Sequence, residues 1–505
     1  MRRELKILLA AAAILYGAGV WWGLPLHWGP DELNPDLIFD AIERHFAGGW
    51  HDKYPPVAYL LNAIVCLPAH MAAGHGWLSL TSPVTQSTLL ILMRLVAVTM
   101  SVAAVSAIFL AGRELYGRRG ALVAAIVGGF TPVFVFYAKL ANVDAPSMCW
   151  LAWALYFYVR AVRGGHARDL VGYGLTAVTA IATKDQTGGF FVLPSLHLAW
   201  IAARHRAWRP LLVAGGVSLV VLVFEMGVPF NLAGFTAHVA MITGDASQPY
   251  RFPGSTLARQ TLVAKMTFLQ LAWTMTWPGL AAGLAGIALE VRRRRFLWLL
   301  WPALSYYVCF LVVAGYVYDR FLIGLGFVLA LFAGGLVDVV LGAAAARWRV
   351  AAVASFSALV AWWGVSMDMM MILDSRDAAT QWVLAHRMHG GIGLVGPSSY
   401  LPYIPAAVRL LGGPDGFDAD RRPLYIVVNA EWMRRRPLPP LETAWQQFLD
   451  SGDSGYVVAA RFKTLPPASF LSYSSVFRNG VEDPLTNLDK VGPEIVVYWR
   501  PAATR

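Results

Sequence analysis

Two adjacent acids, Asp31 and Glu32, sit in the stretch WGPDELNPD, directly after the first long apolar run. Other charges recur in similar settings. Asp52 and Lys53 stand together in HDKYPP, Arg94 lies inside the second span, and Asp144 falls in ANVDAP. Lys184 in ATKDQ, His238 in FTAHVAM, Arg251, Arg259, Lys265 and the Asp319–Arg320 pair of YVYDRFL complete the set. One at a time, each reads as an interfacial residue whose charged end reaches water. Together, the residue types define a chemistry. Lysines and arginines aimed at one place suit a phosphate, each charge-assisted bond contributing roughly 1.5–3 kcal/mol. A carboxylate beside them suits a general base, worth about 10²–10⁴ in rate.

The elements that must position these residues are membrane helices. The chain has 505 residues, 57% of them hydrophobic and only 14% charged, where soluble domains average about 25% charged. Apolar runs of about 18 residues, each long enough to cross the hydrocarbon, recur along the first three-quarters. The net charge of +11 does not mark a nucleic-acid binder, because the basic residues cluster in short loops between spans, where they set orientation. The basic start and long apolar run of the N-terminus read as a retained first span, not a cleaved signal. Cys66, Cys149 and Cys309 lie far apart inside apolar runs and read as small buried hydrophobes.

Basic clusters at residues 1–6, 112–120, 160–168, 203–209, 291–295 and 346–349 mark one side, the cytoplasmic one. Two spans then separate each neighbouring pair: 120–139 and 145–162, 170–184 and 188–202, 210–229 and 265–289, 297–315 and 321–342. A last span at 350–372 delivers the C-terminus to the outer side. Between the first two clusters lie three apolar runs, 5–24, 54–73 and 88–111. The middle one holds Asn62, Pro68 and His70 and starts after a Pro-Pro pair, so it is assigned to the outer interface as a juxtamembrane helix. The expectation is eleven spans, residues 25–87 forming one large outer loop. Every residue of the opening set then faces outward or lies near the outer surface.

After about residue 373 the composition turns polar. Short β-rich runs (GIGLVG, PLYIVV, GYVVAARF, EIVVYWR) surround a helical stretch, LETAWQQFLDSG. The pattern predicts a small α/β domain over residues 373–505, following a membrane domain over 1–372.

In this order, PDE at 30–32, KYPPVAYLL at 53–61, the long run from Arg94 to residue 125, NVDAPSMCWLAWAL, ATK at 182–184 and YDRFLIGLGFVLALFAG resemble the GT-C class of membrane glycosyltransferases. More narrowly they resemble the bacterial lineage related to protein O-mannosyltransferases and the lipid A aminoarabinose transferase. The tail segments DSRDAATQWV and DPLTNLDKVGPEIVVYWR resemble those of bacterial members. The resemblance implies a GT-C fold with periplasmic juxtamembrane helices, in a bacterial inner membrane, with the N-terminus cytoplasmic and the C-terminal domain periplasmic. It implies that Asp31 is the base activating the acceptor hydroxyl, that Asp144 orients acceptor or sugar, and that Glu32 pairs with Arg94. Glu32 is expected to help position Asp31; Lys53, Lys184 and Arg320 fall at the family's positions near the lipid-linked phosphate, and Arg94 is counted with them as a phosphate candidate. The aminoarabinose enzyme has an arginine two residues after its acid pair where this chain has Asn34, so Arg251, Arg259 or Arg320 is expected to supply that phosphate contact. That enzyme also holds a metal with a glutamate and a histidine. Here Asp52 and His238 occupy the corresponding places, a sparse two-ligand candidate for a divalent ion.

The expected reaction is one in-line displacement by an inverting transferase. It moves a sugar from a polyprenyl-phosphate carrier to an envelope lipid, polysaccharide or protein. The alternatives are a flippase for lipid-linked sugars and a non-catalytic binding protein. Transporters often carry paired halves with broken helices at matching positions. No such symmetry is visible, and the acids gather at one face.

Overall fold

The computed structural model describes residues 2–44, 54–244, 250–342, 346–386, 391–405, 407–416, 422–434, 438–451, 454–465 and 488–501. It divides into two units. The first runs to Val20 and from Asp31 to Asp368; the second joins Trp21–Pro30 to the described residues from Met369 onward.

The first unit is helical throughout. In chain order it contains α1 (Arg2–Gly17), α2 (Pro35–Glu43), α3 (Val57–Gly74), α4 (Pro83–Gly129), α5 (Pro132–Tyr137), α6 (Asp144–Gly164) and α7 (Ala167–Thr183). There follow α8 (Val192–Arg204), α9 (Trp208–Glu225), α10 (Leu232–Thr243), α11 (Thr256–Met275) and α12 (Trp277–Arg293). Then come α13 (Trp301–Tyr306), continued through a π-turn into α14 (Val312–Ala314), α15 (Ile323–Leu341) and α16 (Arg347–Ile372), which runs into the second unit. Among the described residues, six helical segments are long and apolar enough to cross a membrane. The chain is a multi-pass membrane protein.

Local chemistry explains where these helices break. The basic cluster at 112–120, expected as a loop, is almost wholly helical: α4 consists of two helices meeting at Gly117 (φ 79°, ψ −164°), a conformation that only glycine adopts readily. The halves double back on each other, so that a Cβ at Gly112 would lie 3.0 Å from the Ala121 Cα. The single span expected over 265–289 is divided in two. Thr276 has φ +67° and its hydroxyl caps Gly279, with Pro278 in the first turn of α12. The segment assigned to the interface at 54–73 forms α3, which by length and composition also qualifies as a crossing helix. The centre is packed through small residues, as membrane helices require in the absence of a hydrophobic drive between them. A Cβ on Gly120 of α4 would come within 2.7 Å of the Gly334 carbonyl of α15.

The second unit is a five-stranded sheet of β1 (Ile392–Val395), β2 (Ala407–Arg409), β3 (Tyr425–Asn429), β4 (Val457–Phe462) and β5 (Ile495–Trp499), in the order β2-β1-β3-β5-β4. The first three strands are parallel, and β5 runs antiparallel to both β3 and β4. Helix α17 (Ser375–Ala385) packs Ala379 and Val383 against Val427 and Val497 on one face. After the short α18 (Ala430–Met433), α19 (Pro440–Asp450) packs Trp445 and Leu449 against Ile426, Val428 and Val496 on the other. Both faces are covered, which is why β3 reads as an unbroken apolar run. Four strands and α19 fall where the sequence placed them; β2, only three residues long, carried no signal of its own.

Candidate active site

Residues 31–34 form a short loop pinned on three sides. Glu32 lies against Arg94 of α4, whose Nε and Nη2 donate to its two oxygens, each at 2.7 Å. The Ala141 amide donates to Glu32 Oε1 as well, at 2.9 Å, while the Leu33 amide donates to the Ala141 carbonyl at 2.8 Å. Arg94 Nη1 is spent on the Val20 carbonyl at 2.6 Å. Asn34 closes the loop by capping α2, its Oδ1 accepting from the Leu37 amide, with Pro35 at the first helical position.

Asp31, held by these anchors, has φ +54°. Aspartate tolerates this left-handed conformation better than most residues, but strained backbone of this kind concentrates at functional sites. Its side chain stays 48% exposed and accepts from Arg320 Nη1 at 2.6 Å. Arg320 belongs to the turn Asp319–Leu322 that opens α15, where its own amide donates to Asp319 Oδ1 at 2.6 Å. The guanidinium lies over the Tyr318 ring at 4.7 Å, and the same Nη1 is 3.7 Å from Asp144 Oδ2. Asp144, the first residue of α6, accepts from Lys184 Nζ at 2.5 Å. Lys184 follows the last residue of α7 and sits 5.3 Å from the Phe321 ring centre.

Four candidates from separate segments therefore form one row: Lys184, Asp144, Arg320, Asp31. The row is neutral, and Arg320 Nε is buried with no hydrogen-bond partner among the described residues. An oxyanion would find a donor waiting there. Burial lowers the pKa of the Lys184 amine, and the Arg320 charge adds to that; the Asp144 carboxylate opposes it. The charged form is thus held by its acidic neighbours, Asp144 first and Asp185 after it.

Other candidates are placed differently. Arg251 Nε donates to the Ala314 carbonyl at 3.2 Å and Arg259 Nε to the Phe252 carbonyl at 2.9 Å. Arg251 thus serves carbonyls in the segment ahead of Arg320, and Arg259 serves carbonyls in the segment ahead of α11. Lys265 lies on the exposed side of α11. Asp52 and Lys53 lie outside the described residues. His238 of α10 is buried and lies in the field of Asp185, the residue after Lys184. Burial pushes the Asp185 carboxyl upward and the His238 imidazole downward, each charge partly opposing the shift of the other. Among the described residues no group of three His, Cys, Asp or Glu side chains could hold a metal ion.

Sequence reasoning passed over two residues. Tyr54 stands in the combined field of Arg320, Asp144, Asp31 and Asp185, and burial raises its phenol well above the ordinary range, keeping it a hydrogen-bond donor. Lys139 is fully buried, bonds the Leu15 and Ala18 carbonyls at 3.1 and 2.8 Å and pairs with Asp368. Neither residue belongs to a charge cluster, so only the fold reveals its setting.

Comparison with known proteins bears on the same segments. No curated protein matches the chain. Among solved structures, ArnT from Cupriavidus metallidurans bound to undecaprenyl phosphate is 15% identical, with 76% of this chain and 73% of that one covered and a TM-score of 0.47. The apo oligosaccharyltransferase of Archaeoglobus fulgidus is 13% identical, with 98% and 88% covered and a TM-score of 0.44. The arabinofuranosyltransferase AftD from Mycobacteria is 16% identical, with 99% and 42% covered and a TM-score of 0.44. Residues 77–228, which include Arg94, Asp144 and Lys184, match the family model of dolichyl-phosphate-mannose-protein mannosyltransferases, in keeping with the resemblance to GT-C membrane glycosyltransferases.

Proposed function

We infer that this protein is an inverting glycosyltransferase that moves a sugar from a polyprenyl-phosphate carrier to an acceptor hydroxyl on the outer side of a bacterial inner membrane. The observation that carries the reading is the row Lys184–Asp144–Arg320–Asp31, two cations and two carboxylates drawn from four segments. The family match over residues 77–228 and the membrane setting favour a lipid-linked donor.

Asp31, half exposed and paired with Arg320, accepts the acceptor's proton as its oxygen attacks the anomeric carbon. The bond from that carbon to the phosphate oxygen breaks, and its electron pair leaves with polyprenyl phosphate. Lys184 and Arg320 stabilise the growing phosphate charge, with Lys53 as a third cation. Asp144 holds both of the first two in place. One displacement without a covalent enzyme intermediate inverts the anomeric configuration. A divalent ion, if held by His238 with Asp52, would add positive charge near the phosphate; the steps above need none.

The test is a panel of polyprenyl-phosphate sugars presented to the purified protein in nanodiscs with candidate acceptors. One donor is expected to release free polyprenyl phosphate and to give a product of opposite anomeric configuration. Donor binding without release from any member would favour a flippase or a binding protein, and a retained configuration would rule out the single displacement.

A further inference from the structure

Ten residues of the N-terminal chain, Trp21–Pro30, fold with the C-terminal unit although some 340 residues separate them in sequence. The attachment centres on Arg376 of α17, which is fully buried. Its Nε and Nη2 donate to the two oxygens of Asp374 at 2.9 and 2.7 Å. Its Nη1 donates to the Ser399 carbonyl at 2.8 Å, and Nη2 also to the Lys490 carbonyl at 2.7 Å. The guanidinium lies 3.7 Å from the centre of the Trp28 ring and 5.4 Å from that of Trp22. Trp28 Nε1 donates to the Leu401 carbonyl at 3.1 Å, and Trp22 Nε1 to Asp374 Oδ2 at 3.0 Å.

The carbonyls of Ser399 and Leu401 belong to the stretch just past the carboxyl end of β1. Asn429, the last residue of β3, bonds the Tyr400 carbonyl between them at 3.0 Å. In open sheets with the order 2-1-3, the crevice past the carboxyl ends of the first and third strands is where ligands bind. Here the turn at that place engages Trp28 and Arg376, so the domain holds the chain's own N-terminal segment as other sheets of this order hold a ligand.

Trp28 is three residues before Asp31. Three residues reach at most about 11 Å, and Pro30 has a fixed φ, so a shift of Trp28 leaves little slack before Asp31 moves. We propose that Arg376 is a positioning residue for the reaction: by clamping Trp28 it fixes the backbone that presents Asp31. The inference rests on the reading of Asp31 as the base.

The test compares the full-length protein in nanodiscs with Arg376→Lys and Trp28→Phe, which keeps an aromatic ring and loses the Nε1 donor. The readouts are kcat, KM for the donor and hydrogen exchange of residues 28–34. Arg376→Lys is expected to lower kcat by about tenfold or more, since small misplacements of reacting groups cost that much. KM for the donor is expected to stay within about twofold, because uniform binding is untouched, while exchange over 28–34 accelerates and that of β3 does not. Trp28→Phe moves the same quantities less. Unchanged exchange over 28–34, or faster exchange with unchanged kcat while Asp31→Asn is inactive, overturns the proposal. If Arg376→Lys loses protection in β3 as well, the domain has unfolded and Trp28→Phe decides. A fully active Asp31→Asn would instead sink the base reading, leaving exchange to report on the clamp alone.

Discussion

Asp31 and Glu32 are neighbours of like charge, and each meets an arginine within 2.7 Å. Their surroundings differ in exposure. Glu32 is 2% exposed and accepts from two arginine nitrogens and a main-chain amide. The Asp31 side chain is 48% exposed and meets the Arg320 guanidinium. A buried carboxylate enclosed by several fixed donors offers no face to an incoming hydroxyl. One with about half of its side chain open to solvent can meet a hydroxyl. Exposure, not the identity of the charge, separates the anchor from the proposed base.

The comparison can be broken from the anchor side. Glu32→Ala leaves Arg94 buried without its carboxylate, and loss of one partner of a buried pair costs about 3–5 kcal/mol. Thermal unfolding in detergent is expected to move markedly downward, and activity to vanish with it. A variant with unchanged Tm would show that Glu32 is not the anchor. Arg320→Met removes the cation that pairs with Asp31 and is proposed to hold the donor phosphate. Charge-assisted bonds contribute about 1.5–3 kcal/mol, so donor affinity measured by titration is expected to fall about tenfold to a hundredfold with Tm little changed. Equal affinity would take Arg320 out of the phosphate site.

Lys184 sharpens the contrast through pH. Burial favours its neutral form, so the charge proposed to serve the phosphate is lost as pH rises, below the ordinary lysine range. The pH–rate profile is expected to show an alkaline limb that Lys184→Arg moves upward, because a guanidinium stays charged there. An alkaline limb at the same pH in that variant would assign it to another group. The smallest effect is expected from Arg251→Ala. Its bonds go to main-chain carbonyls, so donor affinity should stay within about 0.5 kcal/mol, the range of substitutions away from special features. A loss comparable to that of Arg320→Met would return Arg251 to the phosphate site.

The row of charged residues was legible in the sequence because membrane chains carry few charges without reason, and those near the outer ends of spans stand out. Asp144, Lys184 and Arg320 could be named without knowing their distances. Arg251 and Arg259 carry the same signal, yet they satisfy carbonyls near Gly315; charge alone does not say which acceptor an arginine will find. Tyr54 was hidden because a phenol in a chain of 19 tyrosines marks nothing until burial places it beside four charged groups. The break at Thr276 interrupts an apolar run that hydropathy reads as one span, since a single residue of left-handed backbone leaves no trace in composition. The grouping of Trp22 and Trp28 with α17 joins residues more than 340 positions apart, and no local pattern reports a contact of that range.

The central claim is that Asp31 takes the acceptor's proton. The direct measurement is single-turnover release of polyprenyl phosphate by Asp31→Asn, with bound donor quantified in the same sample. The substitution keeps shape and hydrogen-bonding capacity and removes basicity. Release about 10²–10⁴ slower, the usual worth of a general base, with donor still bound, is the predicted result. Release at the native rate would contradict the account.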